Sequence, residues 1–354
     1  MTNNRIPFDF TPTLLNWYEE NARDLPWRNT QDPYVIWLSE IILQQTRVSQ
    51  GMPYFLRFVE LFPRVEDLAK ADEQVVLKAW EGLGYYSRAR NLHHTAKEIV
   101  RMGGKFPASF SELLKLKGVG NYTAAAIASF AFGEAVPVVD GNVYRFISRL
   151  FAIDTPVASN QAYKEFFALL KDYIPADRPG KFNQALMEFG SLQCIPQSPD
   201  CQHCVLNTRC EAFLRKKVND FPVKASQVKV KEVHLHFIHL VGQDKVWLEQ
   251  RVNPGIWKQL WHFPMFETEK PISIPELIQL AAERLGVPTE ALTYQSEIHF
   301  THLLTHRRIQ AHFVKFQSTQ TFTKIDIFEI DLKELEQYPM PQIMIKYLQF
   351  LKDE

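Results

Sequence analysis

A mainly α-helical N-terminal region followed by a smaller α+β domain is the fold class this chain predicts, and three observations carry it. Residues 8 to about 217 read as helix after helix. Residues 219–231 loosen into Pro, Ser, Lys and Gln, the texture of a linker, and beyond 232 apolar and polar positions alternate as in strands. The expected boundaries are therefore 1–218, 219–231 and 232–354, and a length of 354 residues suits two domains of roughly 100–200 each. A composition that is 46% hydrophobic and 23% charged excludes disorder, collagen-like repeats and coiled coils. No apolar run approaches the roughly 18 residues that cross a bilayer, and residues 1–10 lack the basic-then-apolar pattern of a secretory signal. Forty Lys+Arg balance forty Asp+Glu, which argues against nucleic-acid binding by bulk charge alone.

Each element has a local reason. Asp32-Pro33 is a start signal, Asp at the cap and Pro at the first helical position, for an apolar helix over 34–46. Ser109 and Glu112 have capping-box spacing ahead of Leu113, Leu114 and Leu116. Residues 116–120, Leu-Lys-Gly-Val-Gly, join that helix to an alanine-rich one over 122–132 that should pack closely on a neighbour. Asp140 opens a helix over 141–150. Past the linker, strands are expected at Val233-Leu235-Phe237, Val246-Leu248, 297–302 and 308–316, with helices over 275–285 and 341–351.

Four features could carry chemistry. The four cysteines, Cys194, Cys201, Cys204 and Cys210, are the chain's entire complement and lie in one short stretch. Such clustering points to a metal site rather than inert buried thiols. Four thiolates fill a tetrahedral zinc site or supply one ligand to each iron of a cubane cluster. One C-x2-C between two wider gaps fits zinc less well than two paired knuckles, but spacing leaves both open. Gly118 and Gly120 let the 116–120 turn tighten. They free the N–H groups of the next helix for a phosphate oxygen, as in a helix-hairpin-helix.

Glu40 shares with Gln44 the one polar strip of a helix apolar nearly all round. A buried carboxylate there is raised toward a useful acid or is paired structurally, and position alone does not separate the two. Asp140 could simply be an N-cap, the stronger reading on sequence alone. A cap carboxylate beside free N–H groups would stay ionised, and one protonated plus one ionised carboxylate is the pair that glycosidic-bond cleavage uses. His234, His236 and His239 read as strand residues on a solvated face rather than metal ligands.

Taken together these residues resemble the MutY-type adenine DNA glycosylases of the helix-hairpin-helix superfamily, to which endonuclease III also belongs. The matching stretches are Leu25-Pro26-Trp27-Arg28, residues 37–46, residues 82–88, residues 116–127, residues 138–145 and the cysteine loop, in the expected order. The resemblance implies two helical lobes with the site in the cleft between them. It implies that Glu40 is the catalytic acid and Asp140 the second carboxylate, with Asn142 and Tyr122 beside them. It implies that Gln45 and Tyr85 insert next to an oxidised base, that Arg28 and Gln184 lie near the flipped adenine, and that the cysteines hold a [4Fe-4S] cluster. Lyase-capable relatives carry a Lys where this chain has Tyr122. A monofunctional glycosylase is therefore expected, with a bifunctional glycosylase/lyase as the alternative. Lys117 and Val205 depart from the prolines usual at their positions.

The C-terminal domain resembles the family's Nudix-like recognition domain, including residues 255–264. The hydrolase signature is missing, residues 281–286 being the nearest approach, so binding rather than hydrolysis is expected. His299-Phe300-Thr301-His302 matches a loop that reads 8-oxoguanine, with Phe300, Thr301 and His302 as the lesion contacts. The implied partner is double-stranded DNA carrying A:8-oxoguanine or A:G mismatches, met by a monomer in the bacterial cytoplasm without a membrane. Net neutrality then reads as local rather than absent charge: from Trp80 to Lys117 there are seven Lys/Arg and three Asp/Glu.

Overall fold

The computed structural model describes residues 8–223, 230–242, 244–318, 324 and 326–353. Much of the segment read for a secretory signal, and 224–229 of the expected linker, thus lie outside the described residues. Contacts group the chain into two units: Met1–Lys70 with His94–Ser226, and Ala71–His93 with Gln227–Glu354.

In chain order the first stretch forms α1 (Thr11–Asn21), α2 (Pro33–Leu43), α3 (Val48–Leu61), α4 (Val65–Lys70), α5 (Glu73–Ala79) and α6 (Ser87–Arg101). There follow α7 (Phe110–Leu113), α8 (Asn121–Phe132), α9 (Gly141–Phe151), α10 (Asn160–Lys171), α11 (Pro179–Leu192) and α12 (Glu211–Leu214). Asp32 caps α2 by accepting from the Tyr34 N–H at 2.9 Å, with Pro33 in the first turn. The helix ends at Leu43, short of the expected 46. Gln45 takes a left-handed φ of 56°, and Gln44, meant for the polar strip, instead donates to Thr123 Oγ1 at 3.1 Å.

Buried Ala124, Ala125, Ala126 and Ala128 leave room for close packing around α8. Gly190 serves a close approach on α11: a Cβ there would lie 2.7 Å from the Asn142 carbonyl oxygen, so α9 and α11 meet at van der Waals distance. The core beneath gathers Phe10, Trp17, Phe146, Phe166, Phe182 and Phe189 from α1, α9, α10 and α11 and their flanks. Each such fully buried phenylalanine contributes roughly 1.5–3 kcal/mol.

The second unit is built on a mixed sheet. Its strands are β1 (Lys231–Val241), β2 (Lys245–Gln250), β3 (Trp261–His262), β4 (Met265–Thr268), β5 (Leu292–Leu303), β6 (Arg307–Ser318) and β7 (Phe328–Asp331). The order is β3-β2-β1-β6-β5, with β4 also on β1 and β7 also on β2. β1 and β6 run parallel in the centre and the other pairs are antiparallel. Two helices, α13 (Ile274–Leu285) and α14 (Gln342–Asp353), cover it. Alternation along the strands assigns the faces. Ile238, Leu240, Val314 and Phe316 pack with Leu277, Ala281 and Leu285 of α13. Phe313 and His239 meet Tyr347 of α14, the Phe313 and Tyr347 rings stacked at 4.2 Å.

That two-sided burial corrects the reading of the strand histidines. His236 and His239 are buried rather than solvated: His236 Nδ1 lies 3.1 Å from His312 Nδ1, and His239 Nδ1 lies 2.8 Å from the Tyr347 hydroxyl. Burial pushes both imidazoles down, His236 to about 4 and His239 to about 3. A sheet covered on both faces accepts them only neutral and hydrogen-bonded.

Candidate active site

A cleft of about 1380 Å³ opens in the first unit, lined by the end of α2, the 116–120 turn and α8, the start of α9, and one face of α11. Glu40 projects into it from α2 while remaining 5% exposed. Its Oε2 accepts from the Tyr122 hydroxyl on α8. Burial pushes the Glu40 carboxyl up to about 7, the Asp140 charge adding to the rise while the Tyr122 hydrogen bond and Arg28 oppose it. Tyr122 is raised well above its ordinary value, first by burial and then by the two carboxylates, so it serves as a donor, never as an anion.

Asp140 caps α9. Its Oδ1 accepts from Val143 N–H at 2.7 Å and its Oδ2 from Asn142 Nδ2 at 2.9 Å. Its carboxyl is also raised, because burial outweighs those hydrogen bonds, whereas the cap by itself was expected to hold it down. The two carboxyls differ in their donors: Asp140 keeps backbone and amide N–H groups that favour an anion, whereas Glu40 accepts from one neutral hydroxyl. Asn142 is itself oriented, its Oδ1 accepting from Arg145 Nη2 at 2.9 Å.

Arg28, Gln45, Gly118, Gly120 and Gln184 line the same cleft. Gly118 holds φ at 76°, and exposed Gly118 and Gly120 flank Val119, which is buried and anchors the turn. A side chain at Gly120 would meet nothing within 4 Å, so the backbone there is open to an approaching group. Gln184 Oε1 accepts from the Tyr18 hydroxyl at 2.9 Å, and the Arg28 guanidinium lies 5.7 Å from the Tyr18 ring centre. Sequence reasoning passed over Glu188, Arg23 and Arg145. The signal for Glu188 was present: a carboxylate four positions after Gln184 on a helix otherwise burying Phe182, Leu186 and Phe189.

The four cysteines line a second, small cavity with Phe146, Arg149 and Phe189. Arg149 Nη1 stands 3.5 Å from Cys194 Sγ, and Arg145 Nε donates to the Cys194 carbonyl at 2.7 Å. Burial raises Cys201, Cys204 and Cys210, with Cys204 reaching about 11, so an electropositive centre is needed to hold them as thiolates.

The remaining candidates fall in the second unit. Tyr85, 51% exposed and at φ 47°, has its hydroxyl 2.7 Å from Thr305 Oγ1. Residues 299–302, matched to a loop, form the end of strand β5, so their side chains alternate. Phe300 lies beside Phe313 and Phe350, and His302 beside Trp257, while Thr301 is exposed with its hydroxyl donating to Gln310 at 2.9 Å. Arg284, in what remains of the hydrolase motif, pairs with Glu249 and Asp326. Glu297, His299 and His312 bring three ligand atoms within 4.8 Å of one another. Both His312 nitrogens are already engaged, by Glu297 and His236, and its ring stacks on His299 at 4.2 Å, so the in-plane lone pairs do not converge on a cation.

Comparison with known proteins matches residues 38–176 to the family described as HhH-GPD superfamily base excision DNA repair protein, and residues 236–350 to the NUDIX domain. An adenine DNA glycosylase of Buchnera aphidicola subsp. Schizaphis graminum (strain Sg) is 33% identical over 347 residues, 97% of this chain and 99% of its own length. Among solved structures, a thermostable thymine-DNA glycosylase superposes with a TM-score of 0.55 at 31% identity, covering 58% of this chain and 95% of its own. Endonuclease III in a non-covalent DNA complex gives a TM-score of 0.51 at 22% identity, over 58% of this chain and 95% of its own, a likeness of fold.

Proposed function

This chain belongs to the adenine DNA glycosylase family, which acts in base excision repair, and we propose that its substrate is adenine mispaired with 8-oxoguanine or guanine in duplex DNA. The observation that carries the reading is Glu40, buried and hydrogen-bonded to Tyr122, in the same cleft as the capped carboxylate Asp140.

The adenine must leave the stack, since its glycosidic bond is inaccessible inside the helix. Glu40, half protonated near pH 7, gives its proton to N7. The bond from C1′ to N9 then breaks, and its electron pair departs with the base. The developing positive charge on the sugar faces Asp140, whose helix-cap donors keep the carboxylate in place. Water adds at C1′, directly or after a transient sugar–Asp140 ester, and its proton returns to the Glu40 carboxylate. Arg28 and Gln184 meet the extruded purine.

Gln45 and Tyr85 insert beside the partner base. Both are exposed residues held in left-handed backbone, a strained conformation that clusters at functional sites. The end of β5 meets the oxidised guanine through Thr301, the exposed one of the three matched residues, while Phe300 and His302, on the other side of the strand, pack behind it. Among the described residues, none of those lining the cleft is a lysine, which supports a monofunctional enzyme, since a lyase step needs an amine to form a Schiff base.

Cys194, Cys201, Cys204 and Cys210 would hold a [4Fe-4S] cluster. Their shared cavity, with the Arg149 guanidinium beside Cys194, supports this. When bound, the cluster supplies structure to the loop after α11 rather than chemistry at the sugar.

The test is a single-turnover excision assay on duplexes carrying every pairing. Adenine release confined to A:8-oxoguanine and A:G, with no borohydride-trapped adduct, is expected. Release of oxidised pyrimidines with strong trapping would overturn the reading.

A further inference from the structure

Glu188 has no role in the reaction as described, yet it is the most heavily bonded carboxylate lining the cleft. It sits on α11, one turn beyond Gln184, and its side chain is 1% exposed. Its Oε1 accepts from Arg23 N at 2.9 Å, Arg23 Nε at 2.8 Å and Arg28 Nη1 at 2.9 Å. Its Oε2 accepts from Arg23 Nη2 at 2.6 Å and Arg28 Nη2 at 2.7 Å. Five charge-assisted donors on one carboxylate outweigh its burial and hold it ionised down to about pH 2.

The geometry decides which way Arg28 faces. Two carboxylates act on its charge, Glu188 and Glu40, and Tyr18 lies under its guanidinium. Both terminal nitrogens of Arg28 are committed to Glu188, and Nη1 also donates to the Arg23 carbonyl at 3.0 Å. Glu40 is faced by Tyr122 from α8, by Asp140 from the cap of α9 and by Arg28 from residues 26–28; among the described residues Arg28 is the cation that acts on it, and the weakest of these influences. Were Arg28 free to pair with Glu40, the carboxylate would be favoured over the acid and the proton needed for the leaving group would be lost at neutral pH.

We propose that Glu188 is a positioning residue for adenine excision: it binds both terminal nitrogens of Arg28, keeps that cation from pairing with Glu40, and so reserves Glu40 for the proton. The same anchor reaches Gln184 through Tyr18, whose ring lies against Arg28 and whose hydroxyl donates to Gln184. This inference rests on the reading of Glu40 as the acid.

Single-turnover excision of adenine opposite 8-oxoguanine, followed from pH 5 to 9 with the full-length enzyme, tests it. Glu188→Gln should move the limb that falls at high pH downward by about one pH unit or more, because an unanchored Arg28 stabilises the Glu40 carboxylate. Glu188→Asp keeps the charge and should leave the limb near its wild-type position. Arg28→Gln should leave it near its wild-type position, because the anchored cation acts only weakly on Glu40, and that variant keeps the test available if Glu188→Gln does not fold. A limb unmoved in Glu188→Gln, or moved equally by Glu188→Asp, overturns the proposal, as does a shift of about one pH unit or more in Arg28→Gln, which would mean that the anchored cation already acts on Glu40. Glu40→Gln separates the two levels: if it excises adenine normally, the assignment of the acid fails. If it is inactive while the limb ignores Glu188, only the positioning role fails.

Discussion

The hydroxyl of Tyr122 on α8 donates to Oε2 of Glu40 on α2, joining positions 82 apart in the chain across one wall of the cleft. The contact fixes the rotamer of a buried acid and opposes part of the burial that raises it.

Glu40→Gln should reduce adenine excision by about 10²–10⁴-fold, the usual contribution of a positioned acid, while mismatch affinity stays within a few-fold. Its stability should move the other way. The carboxyl titrates at about 7 in the folded protein against 4.5 unfolded, so its contribution is fully present below pH 4.5 and is lost as pH rises through 7. The permanently neutral Gln should therefore unfold at higher denaturant at pH 8, by about 3 kcal/mol, and gain little at pH 4.5. Urea titrations at the two pH values check both signs, and equal gains would contradict the raised acid.

Asp140 carries a structural and a chemical duty that two substitutions separate. Asn is as good a helix cap as Asp, so Asp140→Asn should lose little stability yet slow excision by orders of magnitude, since it cannot face a cation as an anion. Asp140→Ala should lose the same activity and a further ~1 kcal/mol of stability from the α9 cap. Thermal melts paired with single-turnover rates distinguish them. Equal melting of both variants would mean that the cap bond to Val143 contributes nothing.

The hairpin turn is tested at Gly118, whose φ of 76° costs an L-residue roughly 1–2 kcal/mol. On the reading that the turn meets phosphates rather than bases, Gly118→Ala should weaken binding to mismatched and fully paired duplex alike. Fluorescence anisotropy on both duplexes would show parallel losses. A loss confined to the mismatch would assign the turn to lesion recognition.

Cys204→Ser should lower bound iron and the visible absorbance of the purified protein and reduce its melting temperature. Chelation of iron from the wild type should reproduce the change. The linkage is through packing, since the loop rests on Phe146 and Phe189, core residues of α9 and α11, and Arg145 reaches from Asn142 to the Cys194 carbonyl. Full retention of iron in Cys204→Ser would exclude this cysteine as a ligand.

Sequence alone determined most of the elements and the residues that line the cleft. A cap followed by proline, a glycine pair between helices, a carboxylate on an apolar helix and four clustered cysteines are local patterns with local physical causes. They are legible because each is written within a few residues. Tertiary structure decided what depends on neighbours far along the chain. It ended α2 at Leu43, because Gln44 found a partner on α8, and it buried His236 and His239, because α13 and α14 cover both faces of the sheet. The strand expected over 297–302 is the end of β5, and its alternation sends Phe300 and Thr301 to opposite sides. Tertiary structure also supplied Glu188, whose significance lies in two arginines some 160 residues earlier. Burial and charge pairing are sums over contacts that only the folded chain assembles, and these sums, not the residue types, set which carboxyl of the cleft keeps its proton.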